Sequence, residues 1–170
     1  MTSKTTSGDL ITAGAKPTPL AAADHLCANA ANDAGLGGTW VAWLSARDAQ
    51  KKLTRATDRL SAEVTAWTLV DNVTPVFDQK SDLPGKPLHP IDHDEFGGLV
   101  AADTMVWTGT LEVGAPASQN DCLNWSSDYE GDWGISGYTN TDASFDPSWT
   151  GGPSDIQTRV SPFSVGVRGV

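Results

Sequence analysis

The chain is short of several things at once. Its 170 residues include two cysteines, Cys27 and Cys122, too few for a disulfide scaffold and without the CxxC spacing of a redox or zinc site. The pair allows one bridge or none, because separation in sequence does not fix geometry. A small, buried, inert thiol is the simpler reading of each. No apolar run approaches the roughly 20 residues of a membrane span. Residues 1–20 lack the charged-then-apolar order of a secretory signal, so the chain is made without one or the numbering begins after its removal. No GxSxG, HExxH or GxxxxGK(S/T) string occurs, and His25 beside Asp24 reads as a helix-packing or surface residue rather than a base. The expectation is a protein that is not an enzyme.

Basic residues are scarce as well. Lys and Arg number 11 against 21 Asp and Glu, a net charge of −10, and the imbalance is one-sided. Residues 1–70 carry seven basic and six acidic side chains, whereas residues 71–170 carry four and fifteen. A field of that sign repels phosphate backbones and anionic lipid, so neither nucleic acid nor membrane is an expected partner. Solubility accounts for the acid excess. The sharper alternative is a cation-binding face in the second half.

What is present is tryptophan and turn residues: seven Trp, 17 Gly and 10 Pro. A chain of this length can bury one substantial core, so residues 10–170 are expected to form a single domain after a flexible polar lead at 1–9. Leu10–Ala13 reads as a short strand. Thr18-Pro19 then offers a cap and a first-turn proline, Leu20, Ala23, Cys27, Ala30 and Ala34 mark an apolar stripe, and Gly35 closes the helix. Small residues along that stripe imply close approach to a sheet. Thr39–Leu44 is a Trp-rich strand. Ser45 with Asp48 resembles a capping box opening a second helix through about Leu53, whose Arg47, Lys51, Lys52, Arg55 and Arg59 make a solvated face. Ala66–Val70 and Thr74–Phe77 flank Asp71-Asn72 as a hairpin. Ser81–Gly98 is an ordered loop, Thr104–Leu111 a central strand, and Asp121–Ser126 the next strand. The stretch 127–153 is too broken by Gly, Asp and Pro for a conventional sheet, and Thr158–Val167 is the expected closing strand.

Five stretches in this order, ADHLCANAANDAGLGGTWVAWLS, WTLVDNVTPVF, IDHDEFGG, VWTGT and CLNWSSD, span about residues 22–128. Together they make the chain resemble the bacterial DUF1554 family, whose domains are similar to the C-type lectin-like and endostatin folds. The resemblance implies an α+β domain with a small twisted antiparallel sheet, two packed helices and a long irregular loop region carrying variation. It also implies a secreted or surface-attached location and no established activity. The formylglycine-generating enzymes share a related fold but are larger and rely on cysteines absent here. The closing segment SPFSVGVRGV lacks the cysteines that such domains carry, so the resemblance makes Cys27 and Cys122 halves of two lost bridges rather than partners. Ties of roughly 2–4 kcal/mol each must then be replaced by packing or by neighbouring chains. That departure makes a reduced location, or a virion or appendage subunit, the alternative.

Three clusters are candidates for chemistry. His89, Asp92, His93, Asp94 and Glu95 include two His four apart, a zinc-like spacing that Pro90 interrupts and that the resemblance places in a structural loop. Asp128, Glu130 and Asp132 alternate around Gly131 and offer the hard oxygens that Ca²⁺ prefers, although no Glu stands at the twelfth position of an EF-hand loop. Tyr129, Trp133, Tyr138, Phe145 and Trp149, with Asn140, have the composition of a recognition surface. The plainer alternative is that these rings pin the loop to the body. The expected function is a ligand-binding module recognising carbohydrate or protein through 127–153, with stacking from Tyr129, Trp133, Tyr138 and Trp149, hydrogen bonding from Asn140, and Ca²⁺ on the three acids. The alternative is a self-assembling structural subunit of a surface layer, appendage or virion; a zinc hydrolase using His89 and His93 is a third and weaker reading.

Overall fold

The structure is a computed structural model. It describes residues 1–64, 66–83, 85–102, 104–111, 114–116, 121–139 and 150, together with the backbone of 166–168. It is α+β, with short helices and small antiparallel ladders.

Helix α2 (Pro19–Asp33) forms where local signals converge. Thr18 Oγ1 accepts from Ala21 N at 3.4 Å, Pro19 occupies the first turn, and the alanine-rich body carries little side-chain entropy to lose. Its end is a Schellman closure: Leu36 N donates to Ala31 O at 2.8 Å and Gly35 N to Asn32 O at 3.0 Å. The buried face is Ala22, Ala23, Cys27, Ala30 and Ala31, and against it lies strand β1 (Trp40–Ala42). Leu10–Gly14 is a helix, α1, not the expected strand, because Asp9 Oδ1 caps Thr12 N at 3.0 Å and α1 packs on α2. The expected flexible lead is docked: Met1 and Thr2 are buried, and Glu95 accepts from Ser3 N at 2.6 Å and Ser3 Oγ at 2.7 Å.

Successive residues of a strand point to opposite faces, and β1 uses both. Trp40, Ala42 and Leu44 enter a core with α1, α2, Trp107, Cys122 and Trp125. Val41 and Trp43 turn to a second core with Leu60, Val64, Trp67, Val76, Phe77, Leu83 and Val106. At Ala42 a charged pair does what a neighbouring strand does elsewhere. Asp24 accepts from Ala42 N at 2.9 Å, Arg59 Nη1 donates to Ala42 O at 2.6 Å, and Arg59 Nη2 binds Asp24 at 2.5 Å. Arg59 therefore belongs to the packed interior rather than to a solvated face.

The single small sheet expected from sequence is instead four two-stranded antiparallel ladders among the described residues. Strand β1 pairs with β8 (Gly166–Arg168), which overlaps the expected closing strand Thr158–Val167 at residues 166 and 167; the rest of that expected strand lies outside the described residues. Strands β2 (Ala46–Arg47) and β3 (Leu53–Thr54) form a hairpin where a helix was expected. Ser45 cannot cap a helix, since its hydroxyl is shared between Thr110 Oγ1 at 2.7 Å and Ala56 N at 3.0 Å. Asp48 caps a turn instead, accepting from Gln50 N and Lys52 N at 2.9 Å each. The Asp71-Asn72 hairpin forms as expected, joining β4 (Trp67–Thr68) to β5 (Pro75–Phe77). Strand β6 (Met105–Trp107) pairs with β7 (Ser136–Tyr138) and, among the described residues, with no second strand, and the stretch 127–153 does contribute a strand. That stretch also reaches the interior at Thr150, which is fully buried, accepts from Trp43 Nε1 at 2.9 Å and receives the Thr108 hydroxyl on its carbonyl.

Candidate recognition loop

Asp121–Ser126, expected as a strand, is a helical turn of left-handed sense. Cys122, Leu123, Asn124 and Trp125 have φ of 47°, 53°, 61° and 59°. For non-glycine residues this conformation costs roughly 1–2 kcal/mol each and occurs as single residues rather than runs. It persists because surrounding groups over-determine it. Asp121 Oδ1 accepts from Asn124 N at 2.9 Å. Asn124 Oδ1 accepts from Arg47 N at 2.7 Å, and its Nδ2 donates to Arg47 O at 3.4 Å, so one amide grips the main chain of β2 twice. Trp125 is fully buried, donates from Nε1 to Ser45 O at 3.1 Å, and meets Trp107 edge to face at 5.6 Å. Cys122 N donates to Trp133 O at 2.7 Å, and Asp121 bridges to Gly134.

Residues 121–134 are therefore an Ω-loop with joined ends. Gly134 is required at the closure: a Cβ there would lie 2.4 Å from Trp107 Cζ3 and 2.9 Å from Cys122 Sγ. Cys122 is sealed by this contact. Burial first, and then the charges of Asp121 and Asp132, push its thiol up to about 12, so it is no nucleophile. Cys27 is likewise a buried thiol, and the two are not bridged.

The outer half of the loop presents the side chains that sequence reading singled out. Tyr129 is 73 % exposed, with its ring lying over Gly131, and Asp128 and Glu130 are exposed on either side. Asp132 N donates to Tyr129 O at 3.0 Å, and the Asp132 carboxylate accepts the hydroxyl of Ser127. Asp132 and Trp133 are half-buried. Tyr138 is not brought to this group; it sits half-buried on β7 opposite Met105. Asn140, Phe145 and Trp149 lie outside the described residues. Leu123, 66 % exposed on the same loop, was missed by sequence reading. The signal for it was Asp121-x-x-Asn124, a cap and an αL-tolerant residue in a segment that otherwise reads as a strand.

Among the described residues, no three His, Cys, Asp or Glu side chains converge to hold a metal ion. The acids at 128, 130 and 132 share a loop without forming a cage. The histidine cluster is dispersed: His89 Nδ1 meets Pro75 O at 2.8 Å, and His93 Nδ1 meets Asp92 Oδ1 at 2.7 Å. Asp94 caps Phe96 N at 2.9 Å and Gly98 N at 2.8 Å, while Glu95 holds Ser3. The zinc reading thus finds its residues committed to separate structural tasks. A cleft beside Met1, α2 and Trp40 holds about 10 Å³, room for about one water. No described helix is long and apolar enough to cross a membrane.

No protein-family model matches the chain, and no curated protein sequence matches it.

Proposed function

We propose that the chain is a non-catalytic, C-type-lectin-like recognition module that takes a carbohydrate or protein ligand on the Ω-loop at 121–134. The observation that carries this reading is Tyr129, a large ring held 73 % exposed on a loop whose base is locked into the core by Trp125 and Asn124. A rigid support lowers the ordering cost of binding, and an aromatic ring flanked by short acids offers stacking and hydrogen bonding together. An extracellular or surface-attached location is part of this reading, as the resemblance implies. Calcium in this reading would use Asp128, Glu130 and Asp132, and would have to draw the three carboxylates together. A glycan array and calorimetry, with and without chelator, test the proposal on the intact chain. Tyr129→Ala is expected to weaken the ligand found by at least about tenfold; binding unchanged by that substitution refutes this site.

A self-assembling structural subunit is the second reading. It is favoured by the exposed apolar side chains Val73, Leu88, Phe96 and Leu99, which leave surface that neighbours can cover.

A further inference from the structure

We propose that residues 1–9 are a detachable strap that holds the outer half of the Ω-loop, so that lifting the strap loosens Tyr129. This rests on the recognition reading of the loop and names what regulates it. The strap is fixed at its two ends to different parts of the molecule. At the far end Met1 and Thr2 are buried in the cleft beside Cys27 and Ala31 of α2, Trp40 and Val70. Glu95 accepts from Ser3 N at 2.6 Å and Ser3 Oγ at 2.7 Å, and Lys4 pairs with Asp33, the last residue of α2. At the near end Gly8 lies against the loop, where a Cβ would stand 2.7 Å from Cys122 Sγ and 2.7 Å from Ser127 O. Asp9, next to it, forms an antiparallel bridge to Ser126. Ser127 passes that contact on to the tip. Its hydroxyl accepts from Tyr129 N at 3.2 Å and donates to the Asp132 carboxylate, while Asp132 N donates to Tyr129 O at 3.0 Å.

Between its ends the strap is lightly held. Residues 1–8 enter no helix or strand, and Ser3, Lys4, Thr5 and Ser7 are exposed. The Thr6 hydroxyl is buried without a hydrogen-bond partner, a cost that lifting relieves by giving it water. Side-chain latches rather than a ladder secure Ser3 and Lys4. Segments held in that way open with less free energy than the core does. Coupling between two sites is reciprocal. Whatever lifts the far end of the strap withdraws the main chain that backs Ser127, and a ligand that orders Tyr129 tightens the strap in return.

Amide hydrogen exchange of the intact chain, read residue by residue by NMR, tests the coupling without any ligand. Glu95→Ala removes the latch on Ser3, and Lys4→Glu sets like charges against each other at Asp33; both changes lie at the far end of the strap. The Ser3, Tyr129 and Asp132 amides are expected to exchange at least about tenfold faster in Glu95→Ala. About threefold is expected in Lys4→Glu, whose ion pair is exposed. The core amides of Ser45 and Thr108, bonded to Thr108 O and Ile135 O, should keep the parent's rates. Gly8→Ala attacks the near end and should speed Ser3 together with Tyr129 and Asp132. A Ser3 amide that quickens while Tyr129 and Asp132 do not overturns the proposal. An equal rise at Ser45 and Thr108 overturns it too, because the strap then opens only with the whole fold. The expected pattern in a chain that glycan array and calorimetry leave silent upholds the strap and sinks the recognition reading alone.

Discussion

Replacing Gly109 with alanine tests the joint from which the Ω-loop is hung. Gly109 has φ of +58°, and a Cβ there would lie 2.6 Å from Ser45 O and 2.8 Å from Trp125 Cζ2. Ser45 O is the acceptor of the Trp125 indole, so the methyl group displaces both halves of the bond that seats the left-handed turn. The left-handed backbone costs a non-glycine residue roughly 1–2 kcal/mol. Overpacking against main chain and a fully buried ring adds about 1–3 kcal/mol. The expected loss is therefore about 2–5 kcal/mol by guanidinium unfolding. At roughly 2–4 °C per kcal/mol for a domain of this size, Tm falls by about 6–12 °C for a mid-range loss of about 3 kcal/mol. The environment of the Trp125 indole should change with it. Gly37→Ala is the control: nothing lies within 4 Å of its Cβ, and the expected change is under about 0.5 kcal/mol. A Gly109→Ala variant within about 1 kcal/mol of the parent refutes the packing argument.

Ala15 ends α1 with φ of 49° in an exposed position, so Ala15→Gly should stabilise by about 0.5 kcal/mol in the same unfolding assay. Asp24→Ala leaves Arg59 and Ala42 N without their shared partner and should cost about 2–3 kcal/mol, discounted because Asp24 is partly solvated. Asp71 is held down to about 2 by the Thr74 hydroxyl first and then by the N–H groups of Val73 and Thr74. Its folded-state value is depressed, so its contribution is complete above an ordinary carboxylate pKa of about 4 and is lost as pH falls through about 2. The stability gap between parent and Asp71→Asn should accordingly be constant above about pH 5 and close towards pH 2 in an acid titration. Cys122, with its thiol pushed up to about 12, should resist iodoacetamide at about pH 8 and be labelled only as fast as the chain unfolds; rapid native labelling contradicts its burial.

The parts of the fold legible in the sequence are those whose signals lie within one turn or one hairpin. Thr18, Pro19, the alanine stripe and Gly35 act on neighbours three or four residues away, and α2 follows them. Asp71 bonds Val73 N and Thr74 N, and the hairpin follows that turn. Ser45 and Asp48 also look like a local motif, yet no helix forms there. The Ser45 hydroxyl is claimed by Thr110, 65 residues away, and by Ala56. A cap works only if nothing distant outbids it.

The candidate site divides in the same way. Tyr129, Asp128 and Glu130 were visible as an aromatic among acids in a segment with no strand or helix period, and they stand exposed on one loop. Leu123 was not singled out, because its exposure depends on a left-handed turn of which Asp121-x-x-Asn124 is the one local sign. That turn is imposed by Ser45 O, the Arg47 main chain and Trp133 O, none of them readable from CLNWSS.

By itself the sequence determined the position and face of α2, the Asp71-Asn72 hairpin and the acidic second half, because periodicity, capping and charge are carried by adjacent residues; the α+β class was what the resemblance implied. Only the tertiary structure decided that Asp121–Ser126 coils left-handed, that Thr150 reaches the core, and that the Asn124 amide grips the main chain of Arg47. Those outcomes depend on hydrogen bonds and packing between residues far apart in the chain, where no local preference can specify the partner.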